Sequence, residues 1–288
     1  MTGKLKIGVV IVAFNNAEML RSVIGSLLLQ TRMPDEIVII DNASSDNTES
    51  VVKEFQQLKY VHLNENIGSA GGFHEGIKIA SEHNDFVMTL DDDIEMRHDT
   101  VEVMEKHIVS LSKQNKLGAV RCWFIGQNEV KDIRKVSDFA WRGTFINKEA
   151  IKEVGLPKKE YFLYAEDAEY AYRIKRQGWE LFIAPEHLLI DKRKKAKLEL
   201  SVLGRNRLLY KERFRYYYSF RNQIDMYLTY RMWYRMAKSL LYALKIICLF
   251  VVLKKLGSLG FVKAVFAGVC DGFAGKLGRN PKYLPENG

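Results

Sequence analysis

The chain has 288 residues, of which 47% are apolar and 27% charged. That balance excludes an intrinsically disordered protein, and the length allows one large domain or two modest ones with a sizeable core. Five prolines and 20 glycines exclude collagen-like and proline-rich architectures. The three scattered cysteines, Cys122, Cys248 and Cys270, offer neither a disulfide framework nor a Cys-x-x-Cys metal site. The net charge of +9 is unevenly placed. Residues 191–288 hold 21 basic and 6 acidic residues, whereas the first 190 hold 23 basic and 29 acidic. A mildly acidic body therefore carries a basic, aromatic tail, the composition of a segment that meets nucleic acid, anionic lipid or a lipid diphosphate. The N-terminus enters a strand pattern directly, with no signal-peptide pattern, so the expected compartment is the reducing cytosol.

Strand and helix patterns alternate over the first hundred residues, as in layered α/β domains. Ile7–Phe14 is a continuous apolar run ending at Asn15-Asn16, the mark of a strand buried on both faces. Met19–Gln30 has helical spacing, and Pro34 separates it from a second strand, Glu36–Ile40. The loop 41–46 follows, with Asp46 and Glu49 spaced as a capping box that opens a helix through Leu58. Tyr60–Leu63 is a third strand, a third helix reaches about His83, and Phe86–Leu90 is a fourth strand ending in Asp91-Asp92-Asp93. Polar clusters thus fall at the carboxyl ends of successive strands, where open α/β sheets bind ligands. From Leu117 to about Pro185 the pattern is irregular, with a helix predicted over Ala165–Gln177 and a strand over Trp179–Ala184. Leu203–Lys255 reads as long helical material.

The acidic triplet is the strongest chemical feature. On an extended backbone, Asp91 and Asp93 point the same way and can face one hard cation, whereas three bare carboxylates repel. A helix cap or solvated turn is the plainer alternative. Asp41, at the end of the second strand, can accept the imide N–H of uracil or thymine, or simply order its loop. The glycine-rich stretch 68–76 permits close backbone approach to a sugar or phosphate, but matches neither the dinucleotide fingerprint nor the Walker pattern. Glu166, Asp167 and Glu169 lie in the first turn of a predicted helix, where acids also complement the macrodipole. Trp141-Arg142-Gly143 provides acceptor contacts if the indole lines a cleft, and packing otherwise.

Taken in order, these segments resemble family 2 glycosyltransferases of the GT-A fold, a Rossmann-like mixed sheet flanked by helices. Val10–Asn15 is similar to the first nucleotide-binding strand, residues 41–48 to the D-N-x-S-x-D-x-T loop, and residues 66–72 to an N-x-G-x-A-G-G segment of rhamnosyl- and galactofuranosyltransferases. Asp91-Asp92-Asp93 stands as the D-x-D motif and Glu166-Asp167 as the E-D motif. The resemblance covers roughly residues 5–190 and implies a catalytic domain over 1–195, followed by a helical region over 196–288. Two tail segments, 217–222 and 271–278, also resemble polysaccharide-assembling members.

The resemblance implies a nucleotide-diphospho-sugar donor held by Ala13, Phe14, Asn15, Asp41, Asn66, Gly68, Gly71, Gly72, Asp91 and Asp92. It implies Mn²⁺ or Mg²⁺ on Asp91 and Asp93, and Asp167 as catalytic base with Glu166 beside it. Acceptor contacts fall to Trp141, Arg142 and Gly143. Many members add a histidine six residues after a proline; counting from Pro185, that position is Asp191, and the nearby histidine is His187. Either supplies the third ligand, or neither does. The first donor expected is UDP-galactofuranose, with dTDP-rhamnose second, and the acceptor a glycan or lipid-diphosphate-linked sugar.

Two rivals belong to other classes. A sugar-nucleotide pyrophosphorylase would carry a basic glycine-rich loop after the first strand, where this chain has Asn15-Asn16-Ala17-Glu18. A nucleic-acid-binding module would use the tail, but no nucleic-acid partner is expected beside the motifs above. Instead the tail is read as a peripheral anchor on the inner face of the cell membrane, facing anionic lipid. Its apolar stretch Leu240–Leu253 makes about 21 Å of helix, short of the roughly 30 Å hydrocarbon core. Lys245 lies inside it, and Arg231, Arg235, Lys238, Lys254 and Lys255 flank it. Self-association into a homo-oligomer is compatible with the sequence.

Overall fold

The computed structural model describes residues 4–127, 131–192, 197–202, 205–210, 212–253 and 258–285. The chain divides into two compact units, one of residues 1–158 and 167–193, the other of residues 159–166 and 194–288. The boundary expected at 195/196 lies outside the described residues, and segment 159–166 groups with the C-terminal unit despite its place in the sequence.

The first unit is a mixed α/β layer structure. Its elements are β1 (Ile7–Ala13), α1 (Ala17–Leu28), β2 (Glu36–Asp41), α2 (Thr48–Lys53), β3 (Lys59–His62), α3 (Gly68–Ala80), β4 (Phe86–Asp91), β5 (Ile94–Met96), α4 (Thr100–Gln114), β6 (Leu117–Phe124), β7 (Arg134–Lys135), β8 (Thr144–Asn147), α5 (Lys148–Val154), α6 (Glu166–Arg176, one residue of which belongs to the second unit) and β9 (Glu180–Asp191). The sheet runs β3-β2-β1-β4-β8-β6-β9-β5, and β7 pairs with β9. The strands β3, β2, β1 and β4 are mutually parallel, so their carboxyl ends share one edge. Chain order reverses at β1, between β2 and β4, which opens a crevice beyond the ends of β1 and β4.

Alternation along β1 explains why its whole run is apolar. Ile7, Val9, Ile11 and Ala13 join α1 and α4 in one core, while Val10 faces α3 on the other side. The glycines of α3 follow from this packing. A Cβ on Gly76 would fall 2.2 Å from Val10 Cγ1, and one on Gly72 would fall 2.5 Å from Val12 Cγ1. Gly76→Ala is therefore expected to cost about 1–3 kcal/mol through overpacking, read as a lower midpoint in urea denaturation with unchanged slope.

Several predicted elements shift. The helix expected through Leu58 stops at Lys53. The capping box is half formed: Asp46 accepts from the Thr48 N–H (3.0 Å), while Glu49 pairs with Lys53 (2.5 Å). The strand expected to end at Ala184 continues to Asp191, because β6 and β5 give its last residues ladder partners.

The second unit contains an antiparallel hairpin, β10 (Lys197–Val202) with β11 (Arg205–Tyr210), then α7 (Arg213–Thr229), α8 (Trp233–Leu253) and α9 (Ser258–Phe273). Here the reading of 203–255 as helix is corrected: residues 205–210 form a strand. The preceding strand β10, in which Leu198, Leu200 and Val202 alternate with Glu199 and Ser201, supplies its antiparallel ladder partner. Tyr216 and Phe220 of α7, Ala243, Ile246 and Phe250 of α8, and Val265 of α9 form a shared core. On α8 a second apolar stripe stays exposed, with Tyr234, Leu241, Leu244 and Val251 all more than half accessible. No helix among the described residues is long and apolar enough to cross a membrane. Lys254 and Lys255 lie outside the described residues.

Candidate active site

Two strand-end loops are laced together at the crevice. Asn15, at φ +48°, donates its N–H to Ser44 Oγ (2.9 Å), and its Oδ1 accepts from the Ser45 N–H (2.7 Å). Asp46 accepts from the Ala17 N–H (3.0 Å), and the Ala13 carbonyl accepts from the Asn42 N–H (2.9 Å). Phe14 donates its N–H to Asp92 (3.1 Å), and Asn16 Nδ2 donates to the same carboxylate (3.1 Å). Asp92 thus pins the β1 loop. Burial, reinforced by the charges of Asp93 and Asp91, pushes its carboxyl up to about 7.

Asp41 is fully buried and accepts from the Ser44 N–H (2.8 Å), Tyr60 OH (2.6 Å) and His62 Nδ1 (3.0 Å). Burial opposes ionisation, but these donors outweigh it and hold the carboxyl below its ordinary range. A base contact at Asp41 therefore competes with Tyr60 and His62. Asn42, adjacent and also buried, clamps the entrance to α3: its Oδ1 accepts from the Ile67 N–H and its Nδ2 donates to the Gly68 carbonyl, both at 2.9 Å. Asn66 accepts from the Gly68 N–H (2.8 Å), and Gly68 takes φ +75°, a conformation suited to glycine. Asn42 was not singled out from sequence. Gly71 and Gly72 face protein, since an added Cβ would strike Ile67 (2.6 Å) or Val12 (2.5 Å). Both positions therefore need glycine for packing at the start of α3.

At the end of β4, Asp91 and Asp93 are half-buried. The β5–β9 ladder sets Asp191 opposite Ile94, and the Lys192 N–H donates to the Asp93 carbonyl (3.1 Å). His187 lies opposite Trp123 instead, about 13 Å farther back along the strand. The strand register therefore places His187 away from the triplet and Asp191 beside it. Arg142 lies between carboxylates: Nη2 donates to Asp191 Oδ2 (2.5 Å), and Nε is 3.9 Å from Asp91 Oδ2. It stacks over Phe124 at 4.3 Å. Sequence placed Arg142 on the acceptor side; the structure gives it the acidic cluster as partner.

Its two neighbours are held by core packing and by strand pairing. Trp141 is 4% exposed and packs among Phe73, Phe139 and Tyr170, with ring centroids 5.0, 5.8 and 5.7 Å away. An open sugar platform is therefore corrected to a core tryptophan. Its Nε1 is buried and has no hydrogen-bond partner among the described residues. Gly143, at φ +71°, donates to the Thr89 carbonyl and accepts from the Cys122 N–H, both at 2.8 Å, so its backbone links strands.

Asp167 is half-buried, whereas Glu166 is 4% exposed. Burial, with the negative charges of Asp91 and Asp138, raises the Asp167 carboxyl to about 6, although the Ala168 N–H donates to it (2.7 Å). A carboxylate tuned upward beside other carboxylates suits general-base chemistry near neutral pH. Glu169, fully buried, pairs with Arg173 (2.9 Å) and Lys158 (3.7 Å) and anchors the helix.

The second unit builds the turn that leads into this helix. Phe162, Tyr164 and Ala165 all take φ between +61° and +66°, unusual for residues other than glycine. Asn222 Nδ2 lies 2.9, 2.7 and 2.7 Å from the carbonyls of Tyr161, Leu163 and Tyr164. The Arg221 guanidinium, completely buried, donates to the carbonyls of Tyr161 (2.8 Å) and Gly278 (2.5 Å), and its Nε donates to Asn222 Oδ1 (2.8 Å). The Arg-Asn pair was legible only as part of a resembling segment.

Solved structures share the fold at low sequence identity. The mannosyltransferase PcManGT from Pyrobaculum calidifontis, in complex with GDP-Man and Mn²⁺, superposes with a TM-score of 0.60 at 15% identity, covering 98% of this chain and 78% of that one. S. aureus TarS 1-349 in complex with UDP-GlcNAc gives 0.60 at 14% identity, covering 90% and 79%. Among sequence relatives, poly-beta-1,6-N-acetyl-D-glucosamine synthase of Staphylococcus epidermidis is 36% identical over 117 residues, 40% of this chain. The matched part spans 27% of that synthase's length. Residues 8–161, more than half of the chain and all of the strand-end loops through the acidic triplet, match Glycosyl transferase family 2, and the chain belongs to that family.

Proposed function

We propose that the chain is an inverting, divalent-cation-dependent enzyme that transfers a sugar from a uridine-diphospho donor to a hydroxyl of a glycan or lipid-diphosphate-linked acceptor in cell-surface polysaccharide assembly. The carrying observation is the grouping of Asp91, Asp93 and Asp191 at the end of β4 and β9, with Asp167 close enough to Asp91 for their charges to interact.

The donor set is oxygen-rich and suits Mg²⁺ or Mn²⁺. Among the described residues no three His, Cys, Asp or Glu side chains form a ready-made cage. Asp93 and Asp91 are the proposed ligands, with Asp191 adjacent. When bound, the cation supplies charge neutralisation for the departing diphosphate. Asp167 takes the acceptor hydroxyl's proton as that oxygen attacks the anomeric carbon and the bond to the diphosphate oxygen breaks. The laced loops carrying Asn15, Asp41 and Asn66 hold the nucleotide at the crevice.

Uridine is supported by the UDP-sugar complex of a fold neighbour. Galactofuranose remains the first sugar proposed from the motifs, rhamnose the second, and N-acetylglucosamine joins them from the relatives' names. Thermal shift tests the nucleotide: UDP with Mn²⁺ is expected to raise the melting temperature more than dTDP with Mn²⁺ or UDP with EDTA, because ligand binding stabilises the folded state. Transfer that persists undiminished in EDTA overturns the metal role.

The tail is proposed to dock peripherally on anionic lipid at the inner face of the membrane. Support comes from the exposed stripe of α8, from Leu259 and Phe266 of α9, 64% and 65% accessible, and from the exposed cations Arg231, Arg235, Lys238 and Lys245 of the same unit. In flotation, vesicles containing anionic lipid are expected to carry the protein and to release it at high salt. Failure to float with such vesicles overturns docking and leaves the catalytic reading untouched.

A further inference from the structure

We infer that Arg121 and Arg134 form an oxyanion-binding subsite on the acceptor side of the catalytic centre, taking a phosphate ester or carboxylate carried by the acceptor. The inference rests on the proposed transferase reading and deepens it by assigning the acceptor a charge.

The sheet register puts the two arginines in one row. Arg121 on β6 and Arg134 on β7 both pair with Ile183 of β9, from opposite sides. Two strand spacings separate their backbones, about 9.6 Å, and directly paired residues project to the same face. That is the face carrying α6, because Ala119, two residues before Arg121, shares a core with Tyr170, Ala171 and Ile174 of that helix. Asp167 lies in the first turn of α6. Asp138 lies within electrostatic range of both Arg121 and Asp167. The arginine row and the proposed base therefore share one neighbourhood within the first unit.

Arg121 is under-compensated there. Its Nε is buried with no hydrogen-bond partner among the described residues. The guanidinium lies 5.4 Å from the Trp123 ring centroid, a contact that orients the plane without neutralising it. Burial lowers its pKa first, and the positive charges of Arg134 and Arg142 add to this, against Asp138 alone. Asp138 is itself exposed and accepts a hydrogen bond from Ser137 (2.8 Å). Leaving a buried guanidinium N–H unpaired costs free energy, and repulsion by two like charges adds to it; an incoming oxyanion relieves both. The planar fork of arginine matches a phosphate or carboxylate in geometry as well as charge. A neutral sugar hydroxyl would relieve only the missing hydrogen bond.

The test uses the full chain saturated with UDP and Mn²⁺, with glycerol 3-phosphate, glucuronate and glucose as probes in calorimetric titration. At least one anionic probe is expected to bind detectably tighter than glucose. Arg121→Gln is expected to weaken that binding tenfold or more, and Arg134→Gln by a smaller factor, while UDP affinity stays within twofold of wild type. Arg121→Lys, which keeps the charge and loses the fork, is expected to fall between wild type and Arg121→Gln. Phosphate preferred over glucuronate assigns a phosphorylated acceptor; the reverse order assigns a uronate. The subsite is overturned if neither anion binds better than glucose, or if Arg121→Gln binds them as wild type does. Absence of UDP binding in the wild-type chain instead marks failure of the transferase reading, so the two outcomes are separable.

Discussion

Asp167→Asn is expected to lower the transfer rate by about 10²–10⁴-fold and leave the affinity for UDP nearly unchanged. The substitution preserves shape and the capacity to accept the Ala168 N–H (2.7 Å), but removes the base. The nucleotide loops depend on other side chains, namely Asn15, Ser44, Asp46 and Asp92. The matching pH dependence has a defined sign. A base must be deprotonated, and burial with the charges of Asp91 and Asp138 holds this carboxyl at about 6. The kcat/KM profile should therefore rise with pH through about 6 and level off above it. Asp138→Asn removes one repelling charge and should move that limb to lower pH. Retention of more than a tenth of the wild-type rate by Asp167→Asn would remove it from the mechanism and make Glu166 the next residue to test.

The second large effect is expected at Asn222, which lies in no nucleotide loop. Asn222→Asp replaces an amide donor by a carboxylate facing the carbonyl oxygens of Tyr161, Leu163 and Tyr164. The orientation of the native amide is set by Arg221, whose Nε donates to Oδ1 (2.8 Å). Three residues of this turn hold positive φ without being glycine, at about 1–3 kcal/mol each, and such strain persists only where surrounding bonds over-determine it. Each buried carbonyl left without a donor costs about 1–3 kcal/mol. We expect the turn to relax, α6 to lose its defined start, and transfer to fall at least a hundredfold, with a lowered melting temperature. UDP binding should survive, because the nucleotide loops belong to the other unit. Asn222→Ala, which removes the donor without adding charge, should show a smaller loss of the same kind. Wild-type transfer by Asn222→Asp in a stably folded protein would show that the turn is not needed for catalysis.

Local sequence was sufficient for the elements whose pattern is short-range. The buried β1 run, the α1 stripe, the strand-end loops and the acidic triplet all appear where the spacing places them, because hydrophobic period and turn chemistry act within a few residues. The same locality explains the errors. The helix after Asp46 ends early, and β9 runs on for seven residues past Ala184, because partners for that stretch come from β5 and β6, distant in the chain.

At the site, sequence alone determined the residue types: carboxylates at the end of β4, an acidic pair opening α6, and a glycine-rich start to α3. Tertiary structure decided what each one faces. Strand register chose Asp191 over His187, because one ladder places a residue beside the triplet and another four positions away does not reach. Packing set the surroundings of two α3 glycines, Gly72 against Val12 of the sheet and Gly71 against Ile67 at the helix start, since a missing Cβ serves backbone approach to packed side chains as readily as to a ligand. Asn222 and Arg221 lie more than fifty residues beyond the turn they clamp. No local pattern encodes that pairing, because hydrogen bonds to main-chain carbonyls carry no signature in the residues that accept them.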